Sequence, residues 1–454
     1  MKLTAFHLLP LVSFAFANPN HLHQQRQAAS SIPPSSSTSP QPSSSAPTSS
    51  SAASGVASSS VSSSTVASEN PTAVPLASIV VNVPSAPTQI MPTPVPVGSK
   101  PSNIPNAPGV PDISTLSPVN FPALDRPAPT DSPQVQQWIQ EVSQSGVTIP
   151  NIAPNAPGGC VANPTAAVNS SNCWWTCGGC TRNTDVTNCN QKYQWGLTYD
   201  DGPAPYTPDL LSYLSQVDLH ATLFVVGSRV ISWPALVQEE YLSGHQIAVH
   251  TWSHYPLTTL TNEQIIAELG WSKKVIHDVL GVTPTMMRPP FGDIDDRVRA
   301  ICTAMNLVPV IWTRVNSTTT FDTGDFDIHN GLTNVQQVLF NWENIVSNAA
   351  TMNDGFIVLE HDLFQQSVDV ATGYILPDAL ARQPALNITP VISCLNRPFS
   401  DAYIETNDNT SNPLPLASYG GNQAKNGAIV GAAARMDAIV IAAVAIIGAM
   451  ALTL

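Results

Sequence analysis

The sequence is short of charge. Of 454 residues only 17 are Lys or Arg and 31 are Asp or Glu, so charged side chains make up 11% and the formal net charge is −14. Soluble domains average about 25% charged residues. So few basic residues cannot neutralise a phosphate backbone, which excludes nucleic acid as a partner. The shortage is also uneven. Between Arg26 and Lys100 the one acidic or basic side chain is Glu69, and the stretch is built from Ser, Thr, Ala and Pro, drawing on the 42 prolines of the chain. A segment of this kind has too little apolar area to offset the entropy of ordering its backbone. It is expected to stay extended, as a disordered Ser/Thr/Pro-rich stalk of the O-glycosylated type. Packed structure is then expected to begin only between residues 135 and 160.

Both ends read as targeting signals. Residues 1 to 17, MKLTAFHLLPLVSFAFA, have one cation at Lys2, an apolar run and the small-residue site Ala15-Phe16-Ala17. That pattern predicts a secretory signal peptide. Residues 438 to 454, AIVIAAVAIIGAMALTL, are apolar with no Lys or Arg after them. Small residues Asn426-Gly427-Ala428 stand ahead of this tail, separated by a spacer of about nine residues, which is the pattern of a glycosylphosphatidylinositol (GPI) signal. Asn426 is the expected attachment site, with Gly420 to Asn422 as competitors. Four sequons, at Asn169, Asn316, Asn387 and Asn409, would be exposed to the glycosylation machinery on that route.

Cysteine is odd in number, at seven. Cys160, Cys173, Cys177, Cys180 and Cys189 crowd together, and Cys302 and Cys394 lie far downstream. In a secreted chain the cluster predicts a disulfide knot rather than a zinc or redox site. One thiol is left over, and Cys302, inside an apolar helical pattern, is the expected buried free one.

From about residue 194 to 394 short apolar runs alternate with amphipathic stretches. Runs at 195–199, 222–226, 246–250, 285–288, 307–312 and 356–360 read as buried parallel strands. Helices are expected from Ser232 to Ser243, from a Thr261/Gln264 capping box to Gly281, from Asp295 to Met305 and from Asn334 to Asn348. Serial strand-helix units imply right-handed crossovers and a barrel, in which reactive groups gather at the carboxyl ends of strands.

Reactive residues do follow the apolar runs. Asp200-Asp201-Gly202-Pro203 ends the first; adjacent carboxylates point apart, so one can hold a metal while the other takes a proton. His250-Thr251-Trp252-Ser253-His254 ends the third, and a spacing of four lets both imidazoles share one cation with Asp201. Arg288-Pro289-Pro290-Phe291-Gly292, Asp322-Thr323-Gly324-Asp325-Phe326 and Leu359-Glu360-His361-Asp362 follow later runs. Trp252 and Tyr255, beside the imidazoles, are candidates either to stack on a sugar ring or to pack, Trp252 being taken as a substrate-binding residue. Trp174 and Trp175 are expected to pack.

These five motifs, in this order over roughly residues 160 to 395, resemble carbohydrate esterase family 4, the polysaccharide deacetylases with a NodB homology domain. The resemblance extends to fungal chitin deacetylases that are secreted, Ser/Thr-rich and GPI-anchored. It implies an α/β fold, a distorted (β/α) barrel, and one divalent metal ion, zinc or else cobalt, on Asp201, His250 and His254. It also implies that Asp200 is the general base, held by Arg288, and that His361 is the general acid, paired with Asp325. Leu359 would line the acetyl-methyl pocket, and the backbone N–H of Tyr206 would serve the oxyanion. Two departures stand out: Phe326 where the family usually has Trp, and Tyr199 where it usually has Phe.

The expected organisation is a signal peptide (1–17), a stalk (18–134), a Cys-rich segment (135–190), a deacetylase domain (191–395), a spacer (396–426) and a removed propeptide (427–454). The expected function is hydrolysis of N-acetyl groups in chitin to give chitosan and acetate. Action is expected at the cell wall and the outer face of the membrane, by a monomer held through its lipid anchor or transferred to wall glucan. An O-acetyl polysaccharide esterase and an inactive chitin-binding wall mannoprotein are the alternatives.

Overall fold

The computed structural model describes residues 70–81, 87–316 and 318–407. The signal peptide, the stalk up to residue 69, Asn409, the anchor sites at Asn426 and Gly420 to Asn422, and the apolar tail lie outside the described residues.

Eight short strands carry the fold: β1 (Gln194–Gly196), β2 (Thr198–Asp200), β3 (Thr222–Val225), β4 (Gln246–Val249), β5 (Met286–Met287), β6 (Val308–Pro309), β7 (Phe356–Ile357) and β8 (Asn387–Thr389). All of their pairings are parallel, in the orders β2-β3-β4-β5-β6 and β7-β1-β8. Every residue of β3 and β4 is buried. This suits strands covered on both faces and explains why they read as continuous apolar runs rather than alternating ones.

The two sheets are one ring. Leu197 stands between β1 and β2, donating its N–H to Thr389 O (3.0 Å) and accepting at its carbonyl from Thr222 N–H (2.9 Å), so pairing passes there from β8 to β3. On the other side, Thr313 N–H reaches Ile357 O (3.0 Å) and Leu359 N–H reaches Phe321 O (2.8 Å), joining the chain after β6 to β7. Asp200 N–H to Glu360 O (2.9 Å) and Asp362 N–H to Asp200 O (3.2 Å) close the circle. The result is a distorted (β/α) barrel. β8 was not legible beforehand, since three residues with an exposed first position carry almost no pattern.

Outside the ring lie α1 (Pro133–Gln144), α2 (Thr207–Gln216), α3 (Gly227–Ser232), α4 (Pro234–Leu242), α5 (Asn262–Leu280), α6 (Asp296–Ala304) and α7 (Val335–Ala349). The α5 capping box is present, with Thr261 Oγ1 accepting from Gln264 N–H and Gln264 Oε1 from Thr261 N–H, and Gly281 ends the helix at φ 75°. One expected cap is absent. Ser232 closes α3 instead, its hydroxyl donating back to Ser228 O (2.7 Å), and α4 starts two residues later.

Two boundaries need correction. Residues 70–81 and 87–134, expected to be unpacked, run as an extended strap across the barrel, with Ile79, Ile104, Ala107 and Val110 buried. The strap has little regular structure of its own. Side chains of the barrel bind its carbonyls: Gln238 Nε2 donates to Pro111 O (3.1 Å), Tyr374 Oη to Val74 O (2.7 Å) and Gln366 Nε2 to Val80 O (3.0 Å). Such order depends on distant partners, so low charge and dense proline misread it. At the other end the fold continues to residue 407 rather than 395. Tyr403 is fully buried, with its Oη accepting from Ile247 N–H (3.0 Å).

Disulfides join Cys160 to Cys177, Cys173 to Cys180 and Cys189 to Cys394, while Cys302 is a buried free thiol pushed up to about 12, mainly by burial. The knot is therefore crossed rather than closed within Cys177-x-x-Cys180. Asn169, Asn316 and Asn387 are all exposed. Among the described residues no helix is long and apolar enough to cross a membrane.

The Cys189–Cys394 bridge closes a loop of 205 residues. Chain-entropy reasoning gives such a loop about 5 kcal/mol. Cys189→Ser with Cys394→Ser is expected to lower Tm by about 10 °C in calorimetry; an unchanged Tm would show that the bridge adds no constraint.

Candidate active site

The strand ends meet at one mouth of the barrel. β2 delivers Asp200 and Asp201, the turn after β4 delivers His250 and His254, β5 runs into Arg288, the loop after β6 brings Asp325, and the chain beyond β7 brings Leu359 and His361. Backbone pairing sets Asp200 directly opposite His361 on neighbouring parallel segments.

Asp201 Oδ1 lies 3.3 Å from His250 Nε2 and 3.0 Å from His254 Nε2. The three donor atoms fall within 4.8 Å of one another, and all three residues are buried. His250 Nδ1 is 2.8 Å from Arg288 O. A carbonyl can only accept, so Nδ1 carries a proton toward it and Nε2 is the ring atom turned to Asp201. Burial opposes charge on Asp201, yet His254 and His250 outweigh it and hold the carboxyl well below its ordinary range. Burial lowers the pKa of His254, against the opposing pull of Asp201. Asp201 Oδ1 and His254 Nδ1 are buried without a hydrogen-bond partner. An unpaired carboxylate oxygen facing two imidazole nitrogens is a two-His, one-carboxylate donor set, and it fits a divalent ion such as zinc.

The backbone here is strained. Asp201, Thr251, His254 and Phe291 have φ of 77°, 62°, 59° and 61°. Each such residue costs on the order of 1 kcal/mol or more and persists only where surrounding structure enforces it.

Asp200 takes a different partner from its neighbour. Its Oδ1 accepts from Arg288 Nη1 at 2.7 Å, while Oδ2 sits 3.8 Å from His250 Nε2. Arg288 is fully buried, also donates to Thr198 Oγ1 (2.9 Å), and lies 4.2 Å from the centre of the Phe224 ring. A buried guanidinium of this kind demands its anion. Across the mouth, His361 Nδ1 lies 2.9 Å from Asp325 Oδ1, and His361 N–H donates to Asp325 Oδ2 (2.9 Å). Asp325 therefore holds both the ring and the backbone of His361, and Nδ1 carries a proton toward it. Phe326, in the place of the family's usual Trp, packs edge-on to His361 with ring centres 5.2 Å apart. Leu359 is buried beside this pair. Tyr206 is the residue just ahead of α2. Tyr199 lies inside the barrel with its hydroxyl unpartnered and its pKa raised, chiefly by burial.

Trp252 is not a sugar platform. It is fully buried, stacks on Phe121 (6.1 Å between centres) and donates its indole N–H to Ala123 O (3.1 Å), so it faces the strap rather than the mouth. Trp174 and Trp175 are packed, as their burial shows.

Two supporting roles are not legible in the sequence. Glu268 of α5 is fully buried and accepts at Oε2 from Ser253 N–H (2.8 Å) and at Oε1 from Ser253 Oγ (2.8 Å) and Ala128 N–H (3.0 Å). It clamps the His250-to-His254 turn to both helix and strap. The one signal available was a carboxylate on the helix face that also carries Ile265 and Val275. Asp362 is the other. Its carboxyl, pushed up to about 7 first by burial, accepts from Thr207 Oγ1 (2.5 Å), and it lies so close to Gly202 that a Cβ there would come within 2.4 Å of Oδ2. Only glycine fits after the two aspartates.

The polysaccharide deacetylase family profile matches residues 187–310. Chitin deacetylase 1 of Cryptococcus neoformans var. grubii is 48% identical over 324 residues, covering 70% of this chain and 68% of that one. The chitin deacetylase of Amylomyces rouxii is 37% identical over 229 residues, covering 44% of this chain and 52% of that protein, so the chain spans about half of its length. The solved chitin deacetylase of Colletotrichum lindemuthianum is 26% identical with a TM-score of 0.44, covering 49% of this chain and 95% of that one.

Supporting residues behind metal ligands typically affect affinity by about 10- to 100-fold. Glu268→Ala is expected to weaken zinc binding by at least about tenfold, measured by competition with a chromophoric chelator, with Glu268→Gln recovering part of the loss. Wild-type affinity in the alanine variant would remove Glu268 from any role in the turn.

Proposed function

The chain belongs to the polysaccharide deacetylase family, and on that premise we propose that it is a metal-dependent hydrolase removing N-acetyl groups from N-acetylglucosamine units of chitin. The observation that carries the reading is the convergence of Asp201, His250 and His254, flanked on one side by the Asp200–Arg288 pair and on the other by the His361–Asp325 pair. Relatives named for chitin, at 48% and 37% identity, support the substrate.

Amide hydrolysis needs an activated water, a stabilised oxyanion and a protonated leaving amine. A divalent ion held by Asp201, His250 and His254 would supply Lewis acidity to the acyl oxygen and the water. Asp200 is placed to take the water's proton: Arg288 occupies Oδ1 and orients the group, leaving Oδ2 as the accepting atom. The N–H of Tyr206 is assigned to the oxyanion. His361, with Nδ1–H held by Asp325, delivers a proton from Nε2 to the sugar nitrogen as the C–N bond breaks. Acetate and a glucosamine unit leave. Leu359 offers an apolar contact to the acetyl methyl.

We assign the secretory signal, the Ser/Thr/Pro-rich stalk and the GPI anchor at Asn426 to delivery of this activity to the outer face of the membrane and the cell wall. Zinc is the favoured ion and cobalt the substitute. The same donors would also serve an O-acetyl ester, and the chitin relatives favour the amide.

Acetate release from N-acetylglucosamine oligomers is expected to stop on chelation and return with zinc. Asp200→Asn is expected to lower kcat by about 10²- to 10⁴-fold. Turnover persisting in a His250→Ala/His254→Ala protein would overturn the metal assignment. Release of the cell-surface protein by a phosphatidylinositol-specific phospholipase checks the anchor, and retention after complete digestion would count against it.

A further inference from the structure

Asp362 is a buried carboxylate that the proposed chemistry does not use, and it lies where three parts of the mouth meet. Its own N–H donates to Asp200 O (3.2 Å), so its backbone belongs to the register that sets Asp200 opposite His361. Its side chain reaches the start of α2, where Oδ2 accepts from Thr207 Oγ1 (2.5 Å). On the way the carboxylate lies against Gly202, the residue after Asp201, and leaves no room for a Cβ there.

The segment from Gly202 to Thr207 is thereby fixed at both ends. At the first end Val226 N–H donates to Gly202 O (3.0 Å). At the second, Thr207 N–H donates to Ala204 O (3.1 Å) and Ala204 N–H donates to Thr207 Oγ1 (2.9 Å), so backbone and side chain of Thr207 together close the turn. The hydroxyl that accepts from Ala204 has one proton of its own to give, and Asp362 takes it. Ala204, Thr207 and Asp362 are all buried, where a missing partner is not replaced by bulk water. Pro203 and Pro205 have no N–H. Tyr206, inside this turn, carries the N–H assigned above to the oxyanion. The aim of that N–H is set by the turn, and the turn is tied to the rest of the mouth through the Thr207 hydroxyl.

We propose that Asp362 is a positioning residue for amide hydrolysis: acting through the Thr207 hydroxyl, it fixes the Ala204-to-Thr207 turn and with it the aim of the Tyr206 N–H at the acyl oxygen. The proposal rests on the functional reading above. It makes one segment responsible for two parts of the reaction, since His361, which protonates the amine, is the preceding residue. It also gives a reason for glycine at position 202, where a side chain would push the carboxylate away from Thr207.

Steady-state kinetics on N-acetylglucosamine oligomers and hydrogen exchange of the whole protein test it. A group misplaced by about 1 Å can cost about 10²-fold, and a contact made only in the transition state shows in kcat. Asp362→Ala and Thr207→Val are therefore each expected to lower kcat about 10²-fold with KM changed less than about twofold. Both are expected to speed amide exchange across residues 204–207 by about tenfold. The double variant should be no worse than either single one, because both remove the same bond. Asp362→Asn keeps an acceptor oxygen and should recover part of kcat; it and Thr207→Val change little volume and serve if Asp362→Ala does not fold. Zinc affinity, read by chelator competition, should not change. Folded variants with unchanged kcat and unchanged exchange would overturn the positioning role and leave the proposed function standing. Zinc affinity falling in parallel with kcat would also overturn it, since Asp362 would then act through Asp201. Faster exchange in both variants of a protein that releases no acetate would keep Asp362 as the anchor of the turn and sink the proposed function.

Discussion

The backbone pairing of Asp200 with His361 is the constraint on which the rest depends. Asp200 N–H donates to Glu360 O and Asp362 N–H to Asp200 O, and these bonds close the ring of parallel strands. They also place a carboxylate and an imidazole opposite each other across one strand spacing. Asp200 and His361 thus owe their separation to register, and a slip of one residue would turn one of the two side chains away from the mouth.

Around that register the charged groups at the mouth are set in pairs. Arg288 holds Asp200, Asp325 holds His361, and the two imidazoles face Asp201. Removing one member of such a pair leaves the other uncompensated in low dielectric, at several kcal/mol. This distinguishes the two adjacent aspartates, which are chemically alike: Asp200 sees a guanidinium, whereas Asp201 sees two imidazole Nε2 atoms.

The motif residues were legible in the sequence because each motif is local, a few residues at the end of an apolar run, and because the runs themselves are fully buried. The Thr261/Gln264 cap and the leftover Cys302 were legible for the same reason. The strap was not. Its prolines and missing charge look like unstructured chain, while its order comes from Gln238, Tyr374 and Gln366, which lie more than 100 residues away. The burial of Trp252 is hidden from the sequence on the same ground. Proximity to His250 and His254 in sequence says nothing about which way a side chain faces, and Phe121 from the strap covers it.

The sequence by itself determined the chemistry available: two carboxylates, two histidines at a spacing of four, an arginine, and a second aspartate and histidine, each following a strand-like run. It determined this because residue type and short spacing set what a group can bind or transfer. Only the tertiary structure decided which oxygen of which aspartate meets the histidines, that Glu268 clamps the His250-to-His254 turn, and that the strap packs against it. Those are contacts between segments far apart in the chain, and burial and register, not local pattern, select them.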